Sequence, residues 1–234
     1  MPTARRLFRF DRGLGRRFVA GADEAGRGSL AGPLVAAAVL FDYERLTPRQ
    51  VRSLRDLNDS KAHDVEGRES LYPLVLQCAA AVTVTSRCAP GIDERGLHVT
   101  NLAALRDCLE RVAPPDAICL IDGFSLDGLA LPHQAVIDGD ARSAAIAAAS
   151  VVAKVTRDRY MRRAADELPR WHFHSNVGYS TPEHREAIAV HGISVLHRRS
   201  FQSVAYQQLE ICGDDLPPEL LEGGLDPLEP QRLP

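Results

Sequence analysis

Four acidic side chains stand where apolar, strand-like runs end. Asp23 and Glu24 close the run Phe18-Val19-Ala20-Gly21-Ala22, Asp122 closes Cys119-Leu120-Ile121, and Asp140 follows Ala135-Val136-Ile137 after a turn-forming Asp138-Gly139 pair. If these runs are neighbours in one sheet, their carboxylates gather at the edge where α/β sheets bind ligands. Four such charges without a basic partner repel one another, and divalent cations would neutralise them. Oxygen donors favour Mg²⁺ or Mn²⁺ over zinc. Two such ions about 3.5 to 4 Å apart can activate a water on one side of a phosphodiester and stabilise the leaving oxygen on the other, so the chemistry implied is phosphodiester hydrolysis. Spacing alone leaves an alternative open, because Asp122-Gly123 and Asp138-Gly139 also suit ordinary turns. Asp138 competes with Asp140 for the fourth place; the spacing from Asp122 favours Asp140.

The elements that must hold these acids can be read along the chain. Strands are expected at about 17–23, in 32–41 (GPLVAAAVLF), in AAAVTVTSRC, in AICLIDG and in HQAVIDGD. The first two, joined by a glycine-rich turn, imply a hairpin. Helices are expected after Thr47-Pro48, a cap followed by proline at the first helical position, and over 65–77, 98–112, 143–168 and 181–191, the last stopping at Gly192. Three strands followed by strands alternating with helices argue for an α/β protein with a mixed five-stranded sheet flanked by helices. Residues 1–16 carry arginines that could touch phosphates, but are expected to be a basic, flexible leader, with 17–212 the catalytic domain and 213–234 a flexible tail rich in Pro and Glu.

Composition narrows the function. The chain has 234 residues and a net charge of −3, so any basic surface must be local. The five cysteines are widely spaced and form no zinc or redox pair. With no apolar run near the roughly 18 residues of a membrane span and no signal-peptide core behind the arginine-rich start, a cytoplasmic protein is expected. No Gly-x-Ser-x-Gly elbow and no P-loop Gly-Lys-Ser/Thr is present.

The blocks GADEAGRGSLAGPLVAAAVL, LNDSK, LIDG, GDARSAAIAAASVVAKVTRDRYM, GYSTPEH and HGISVLHRRSF, in this order, resemble bacterial ribonuclease HII from about Phe18 to Leu209. The resemblance implies an RNase H-like fold and an endonuclease that cuts the RNA strand of RNA/DNA hybrids, including single ribonucleotides embedded in duplex DNA. It places the family's metal-binding acids on Asp23, Glu24, Asp122 and Asp140, with Asp23 bridging two ions, Glu24 and Asp122 on one and Asp140 on the other. The products would carry 3′-hydroxyl and 5′-phosphate ends. It also implies that Gly26-Arg27-Gly28 reads the ribose and that Tyr179 packs on the following deoxyribose. Glycines let a backbone approach a sugar closely, and a 2′-hydroxyl both donates and accepts. Many family members carry lysine where this chain has Asp138.

Other polar residues divide between substrate and scaffold. Lys61, with Asn58 and Ser60, suits phosphate contact, since a point charge and small donors hold a backbone without reading sequence. Lys154 shares a helix face with Ser150 and is expected to reach phosphate while Ser150 packs. Arg157-Asp158 reads as an ion pair on a helix surface. His172 and His174 read as exposed aromatics, hard metals preferring oxygen. His184, His197, Arg198 and Arg199 are left as structural or substrate-facing. A hybrid-binding module without catalysis would have no use for four acids that repel phosphate, and a resolvase or transposase core would have no use for the Gly-Arg-Gly and tyrosine pair. A monomer is expected.

Overall fold

The computed structural model describes residues 4–57, 64–201 and 206. Five strands, β1 (Phe18–Ala25), β2 (Leu34–Asp42), β3 (Ala81–Arg87), β4 (Ile118–Asp122) and β5 (His133–Val136), form one sheet in the order β3-β2-β1-β4-β5. The first three strands pair antiparallel, and β4 and β5 join parallel to β1. This is the expected mixed sheet, and its covering by helices on both faces has a physical consequence in the sequence. β2 lies in the sheet interior with all nine positions buried, which is why LVAAAVLFD is nearly all apolar instead of alternating.

Eight helices are described: α1 (Ala4–Gly13), α2 (Pro48–Ser53), α3 (Val65–Cys78), α4 (Ala89–Arg95), α5 (Leu97–Val112), α6 (Ala144–Glu167), α7 (Phe173–Asn176) and α8 (Pro182–His191). Alternate residues of β1 divide between two cores. Val19 packs toward α6, α1 and α3, while Ala20 and Ala22 pack toward α5. The alanine-rich first half of α6 lets its backbone lie directly on the sheet. At Gly21 a side-chain carbon would overlap the Ala145-Ile146 backbone, so only glycine fits there.

Helix ends follow their local chemistry. Thr47 and Gln50 form a reciprocal capping box at α2, Asp64 accepts from Gly67 N at 2.7 Å at α3, and Ser143 accepts from Ile146 N at 3.3 Å at α6. Thr181 caps α8, and Gly192 ends it with φ +69°. The strand expected through HQAVIDGD stops at Val136. Asp138 then takes a left-handed conformation, φ +51°, and Gly139–Ala141 forms a 3₁₀ turn. α4 and α7, both short, were not anticipated.

The expected flexible leader is corrected for residues 4–13. They form α1, in which Leu7 and Phe8 are completely buried and Asp11 reaches the start of α6, accepting from Ala145 N at 3.0 Å and from the Tyr43 hydroxyl at 2.7 Å. The buried set Ala4, Leu7, Phe8 and Asp11 has i, i+3, i+4, i+7 spacing, a helical stripe masked by the arginines between. Tail residues 213–234 and the Asn58-Ser60-Lys61 group lie outside the described residues. No helix among the described residues is long and apolar enough to cross a membrane.

Candidate active site

Parallel pairing aligns the acids. Ala22 pairs with Ile121, so Asp23 and Asp122, the next residues of β1 and β4, emerge at the same sheet edge. Asp122 pairs in turn with Val136, the last residue of β5, and the 3₁₀ turn beyond it carries Asp140. The Gly139 amide donates to Asp122 Oδ1 at 2.7 Å, holding that turn against β4. Asp23, Glu24, Asp122 and Asp140 all line one pocket of about 490 Å³, together with Gly26, Arg27, Gly28, Ser150, Lys154 and Tyr179. Asp138 also lines it but is exposed, whereas Asp140 is 7% exposed. Arg68 and Phe124 reach the pocket without any signal in their local sequence.

Burial and mutual repulsion govern the charges. Asp23 has its carboxyl pushed well above the usual range, first by burial and then by the Glu24 and Asp122 charges; a bond with Ser150 and the Glu24 amide at 2.7 Å offset part of this. Glu24, on the opposite face of β1, is raised chiefly by burial, with Asn101 and Arg27 acting against it. Asn101 is near enough to favour the charged form without closing a hydrogen bond of good geometry. Glu24 Oε2 and both Asn101 amide heteroatoms are buried without a hydrogen-bond partner. Orphaned carboxylate oxygen beside three further acids is a donor set suited to a hard divalent cation. Among the described residues, no three acidic, histidine or cysteine side chains are already drawn into a closed metal cage. The acids surround a pocket, as mutual repulsion dictates.

Two buried arginines build the loop between β1 and β2. Arg157 of α6 is fully buried and donates to the carbonyls of Pro33, Val177 and Ala31, each at 2.9 Å, and to the Ser29 hydroxyl at 2.7 Å. Arg198, equally buried, donates to the Gly32 carbonyl at 3.0 and 3.1 Å and to the Arg27 carbonyl at 3.0 Å. Burial, reinforced by Arg157, brings Arg198 down to about 10. The expected surface pair Arg157-Asp158 is therefore corrected: Asp158 accepts from Lys154 Nζ at 2.8 Å, and Arg157 points inward. A signal existed, because Ser150, Lys154, Arg157 and Met161 lie at i, i+4, i+7, i+11 on one stripe of α6.

The cradle explains one glycine and leaves another to the pocket. Gly26 has φ +86°, and a side-chain carbon there would overlap the Arg157 guanidinium. Gly28 has an ordinary φ and nothing within 4 Å of where its side chain would begin. The Gly26 carbonyl already accepts from the Ser29 hydroxyl at 2.8 Å and the Arg27 carbonyl from Arg198, so internal bonding engages the carbonyls of this loop. Arg27 lays its guanidinium over the Phe124 ring at 4.6 Å.

Tyr179 arrives on a turn sharing that scaffold. The Asn176 side chain bridges the Trp171 carbonyl and the Gly178 amide, both at 2.7 Å, and the Gly178 carbonyl accepts from Leu30 N and Ala31 N. Lys154 Nζ lies 4.9 Å and the Arg157 guanidinium carbon 5.2 Å from the Tyr179 ring centre. Behind it, His184 Nδ1 faces the Tyr179 carbonyl at 2.8 Å and must donate. Its Nε2 therefore accepts from His197 Nε2 at 3.1 Å, and His197 Nδ1 accepts from Ser194 N at 2.8 Å. His184 and His197 are scaffold. Burial and the His184 neighbour bring His197 down to about 4. Arg199 gives its amide to Asp93 at 3.0 Å, exposed His172 leads into α7, and His174 lies 3.1 Å from Asp166.

Residues 20–204 match the family model described as Ribonuclease HII. The chain is 48% identical over 185 residues to a Ribonuclease HII of Chelativorans sp., covering 78% of this chain and 70% of that protein. Among solved structures it resembles the ribonuclease H2 of Pyrococcus horikoshii, with a TM-score of 0.67, 26% identity, and coverage of 83% of this chain and 97% of that one. The fold is shared with Bst-RNase HIII in complex with Mn²⁺, with a TM-score of 0.69, 17% identity, and coverage of 88% and 73%.

Proposed function

The chain belongs to the ribonuclease HII family, an endoribonuclease family acting on RNA/DNA hybrids, and on that premise we propose that it also incises duplex DNA 5′ of a single embedded ribonucleotide. Asp23, Glu24, Asp122 and Asp140 would hold two divalent ions, Mg²⁺ or Mn²⁺, and the scissile phosphate would sit between those acids and the Gly26-Arg27-Gly28 loop. When bound, the ions supply an activated water and neutralise charge on the leaving oxygen. The observation that carries this reading is that all four acids share a pocket with Gly28 and Tyr179, so cleavage and sugar recognition meet in one place.

The chain's own residues have distinct tasks. The buried acids repel one another until cations arrive, which couples their charged state to metal binding. Ser150 steadies Asp23 through a hydrogen bond. Gly28 presents bare backbone to the ribose, Tyr179 packs on the next sugar, and Lys154, anchored by Asp158, places positive charge at the pocket wall. Lys61 is assigned to phosphate contact on its sequence block alone. The test is cleavage of three matched duplexes with Mg²⁺ or Mn²⁺: all DNA, DNA with one ribonucleotide, and a continuous RNA/DNA hybrid. Cutting of the second at the ribonucleotide, leaving 3′-hydroxyl and 5′-phosphate ends, is expected; no cutting there with either metal refutes the proposal.

A further inference from the structure

Arginine is concentrated at one end of this mildly acidic protein. Arg5, Arg9 and Arg12 lie at i, i+4, i+7 on an exposed stripe of α1 that borders the buried Phe8. Arg52 of α2 meets this stripe across a cleft of about 360 Å³ with an apolar floor that includes Phe8 and Val51. Neighbouring arginines are neutralised: Arg17 and Arg45 pair with Asp42, and Arg55 with Asp56. Among the described residues, Arg5, Arg9 and Arg52 have no carboxylate within ion-pair distance. Four guanidinium groups around one cleft repel each other, and an anionic ligand relieves that repulsion.

The basic surface continues to the catalytic pocket. Phe10 shares the outer face of α1 with Arg6 and Arg9. The Arg142 guanidinium lies 5.4 Å over the Phe10 ring and donates to the Ile137 carbonyl at 3.5 Å, and Ile137 and Asp138 line the four-acid pocket. A rod-like polyanion leaving the pocket on this side would meet arginine first at Arg142, where the 3₁₀ turn ends ahead of α6, and then on α1.

We propose that the cleft between α1 and α2 is a second phosphate-binding site that grips the sugar-phosphate backbone of the substrate duplex at a distance from the scissile bond. The proposal rests on the reading of the four-acid pocket as the cleavage site. The chemistry is that of phosphate oxygens held by guanidinium forks without reading sequence. It also answers a physical difficulty, since a pocket of carboxylates repels the backbone it must cut and needs attraction supplied elsewhere.

The test uses the full chain carrying Asp23→Asn, so that duplex is bound and left uncut, with and without Arg5→Gln, Arg9→Gln and Arg52→Gln together. Anisotropy of fluorescein-labelled duplexes containing one ribonucleotide, about 8 and about 30 base pairs long, is followed against salt, where each lost phosphate contact lowers the slope of log K by about 0.9. On the long duplex the triple variant is expected to bind about tenfold more weakly at low salt, with the slope reduced by about two to three. The short duplex should bind alike with and without the changes. Equal weakening on both lengths, or an unchanged slope, overturns the site. Should the triple variant unfold, Arg5→Gln and Arg52→Gln singly must each lower the slope by about one on the long duplex, and no change in either overturns it. Inorganic phosphate should displace the long duplex no better than chloride at equal ionic strength; selective displacement marks a small-anion site and overturns the assignment to duplex. Cleavage at a single ribonucleotide by the unmodified protein is measured alongside, so failure of the catalytic reading is seen separately from failure of this one.

Discussion

Substituting Gly26 and Gly28 by alanine, one at a time, separates scaffold from recognition two residues apart. At Gly26 the φ of +86° disfavours any side chain, and the added carbon would displace the Arg157 guanidinium. The left-handed backbone costs about 1–2 kcal/mol, and each hydrogen bond a displaced charged group gives up costs about 1.5–3 kcal/mol. A total near 3–5 kcal/mol is expected, read as a fall in Tm of about 2–4 °C per kcal/mol in a chain of this size. At Gly28 nothing lies within 4 Å and the backbone is unstrained. Stability should be unchanged or rise by about 0.4–1 kcal/mol, because alanine restricts the unfolded chain. On the proposed function the methyl group would instead stand where the ribose comes close. Overpacking a contact of that kind costs about 1–3 kcal/mol, which lowers kcat/KM on an embedded ribonucleotide by about 5- to 150-fold. The assay pairs calorimetric Tm with steady-state cleavage of the one-ribonucleotide duplex. A folded Gly28→Ala protein that cleaves at the unmodified rate would refute the placement of the substrate against this loop.

Three further outcomes are expected. Asp23→Asn should abolish cleavage while raising the Tm of metal-free protein, since it removes a carboxyl whose charge is disfavoured first by burial and then by Glu24 and Asp122; a lower Tm would contradict that cost. Tyr179→Ala should reduce cleavage at a single ribonucleotide more than cleavage of a continuous hybrid, and equal losses in parallel assays would remove Tyr179 from recognition. Asp11 is raised from 3.8 to about 6 by burial, so the native state holds its proton more tightly than the unfolded chain. Its contribution is full below about 4 and lost as pH rises through about 6, amounting to about 3 kcal/mol. Asp11→Asn keeps an oxygen for Ala145 N and should flatten that part of the denaturation profile of metal-free protein; an unchanged profile would refute the assignment.

Much of the sheet was legible because its strands are short apolar runs bounded by glycine, proline and aspartate. The carboxylates were legible for the same reason: a strand end can be located to within a residue or two, and parallel pairing then brings Asp23 and Asp122 together. Residues acting through long-range packing were not. Arg157 stands beside an aspartate on a helix, and adjacent charges invite a surface pairing. Its carbonyl partners are 20 and 124 or more residues away, and only the folded loop gathers them. α1 failed for a different reason, since composition was weighed over periodicity and the arginines hid the stripe of Ala4, Leu7, Phe8 and Asp11. Arg68 and Phe124 reach the pocket through loop geometry that no local pattern encodes.

The arginine cradle has a kinetic consequence. Arg157 and Arg198 fasten the 26–33 loop to Val177 and to α6 through bonds that are buried except for the part-buried one to the Arg27 carbonyl. The loop and the tyrosine turn therefore cannot swing independently, and their amides should exchange with solvent as one cooperative unit instead of two. On the proposed function, the sugar-reading loop is already set when substrate arrives, and binding is expected to proceed in a single step with no slow isomerisation.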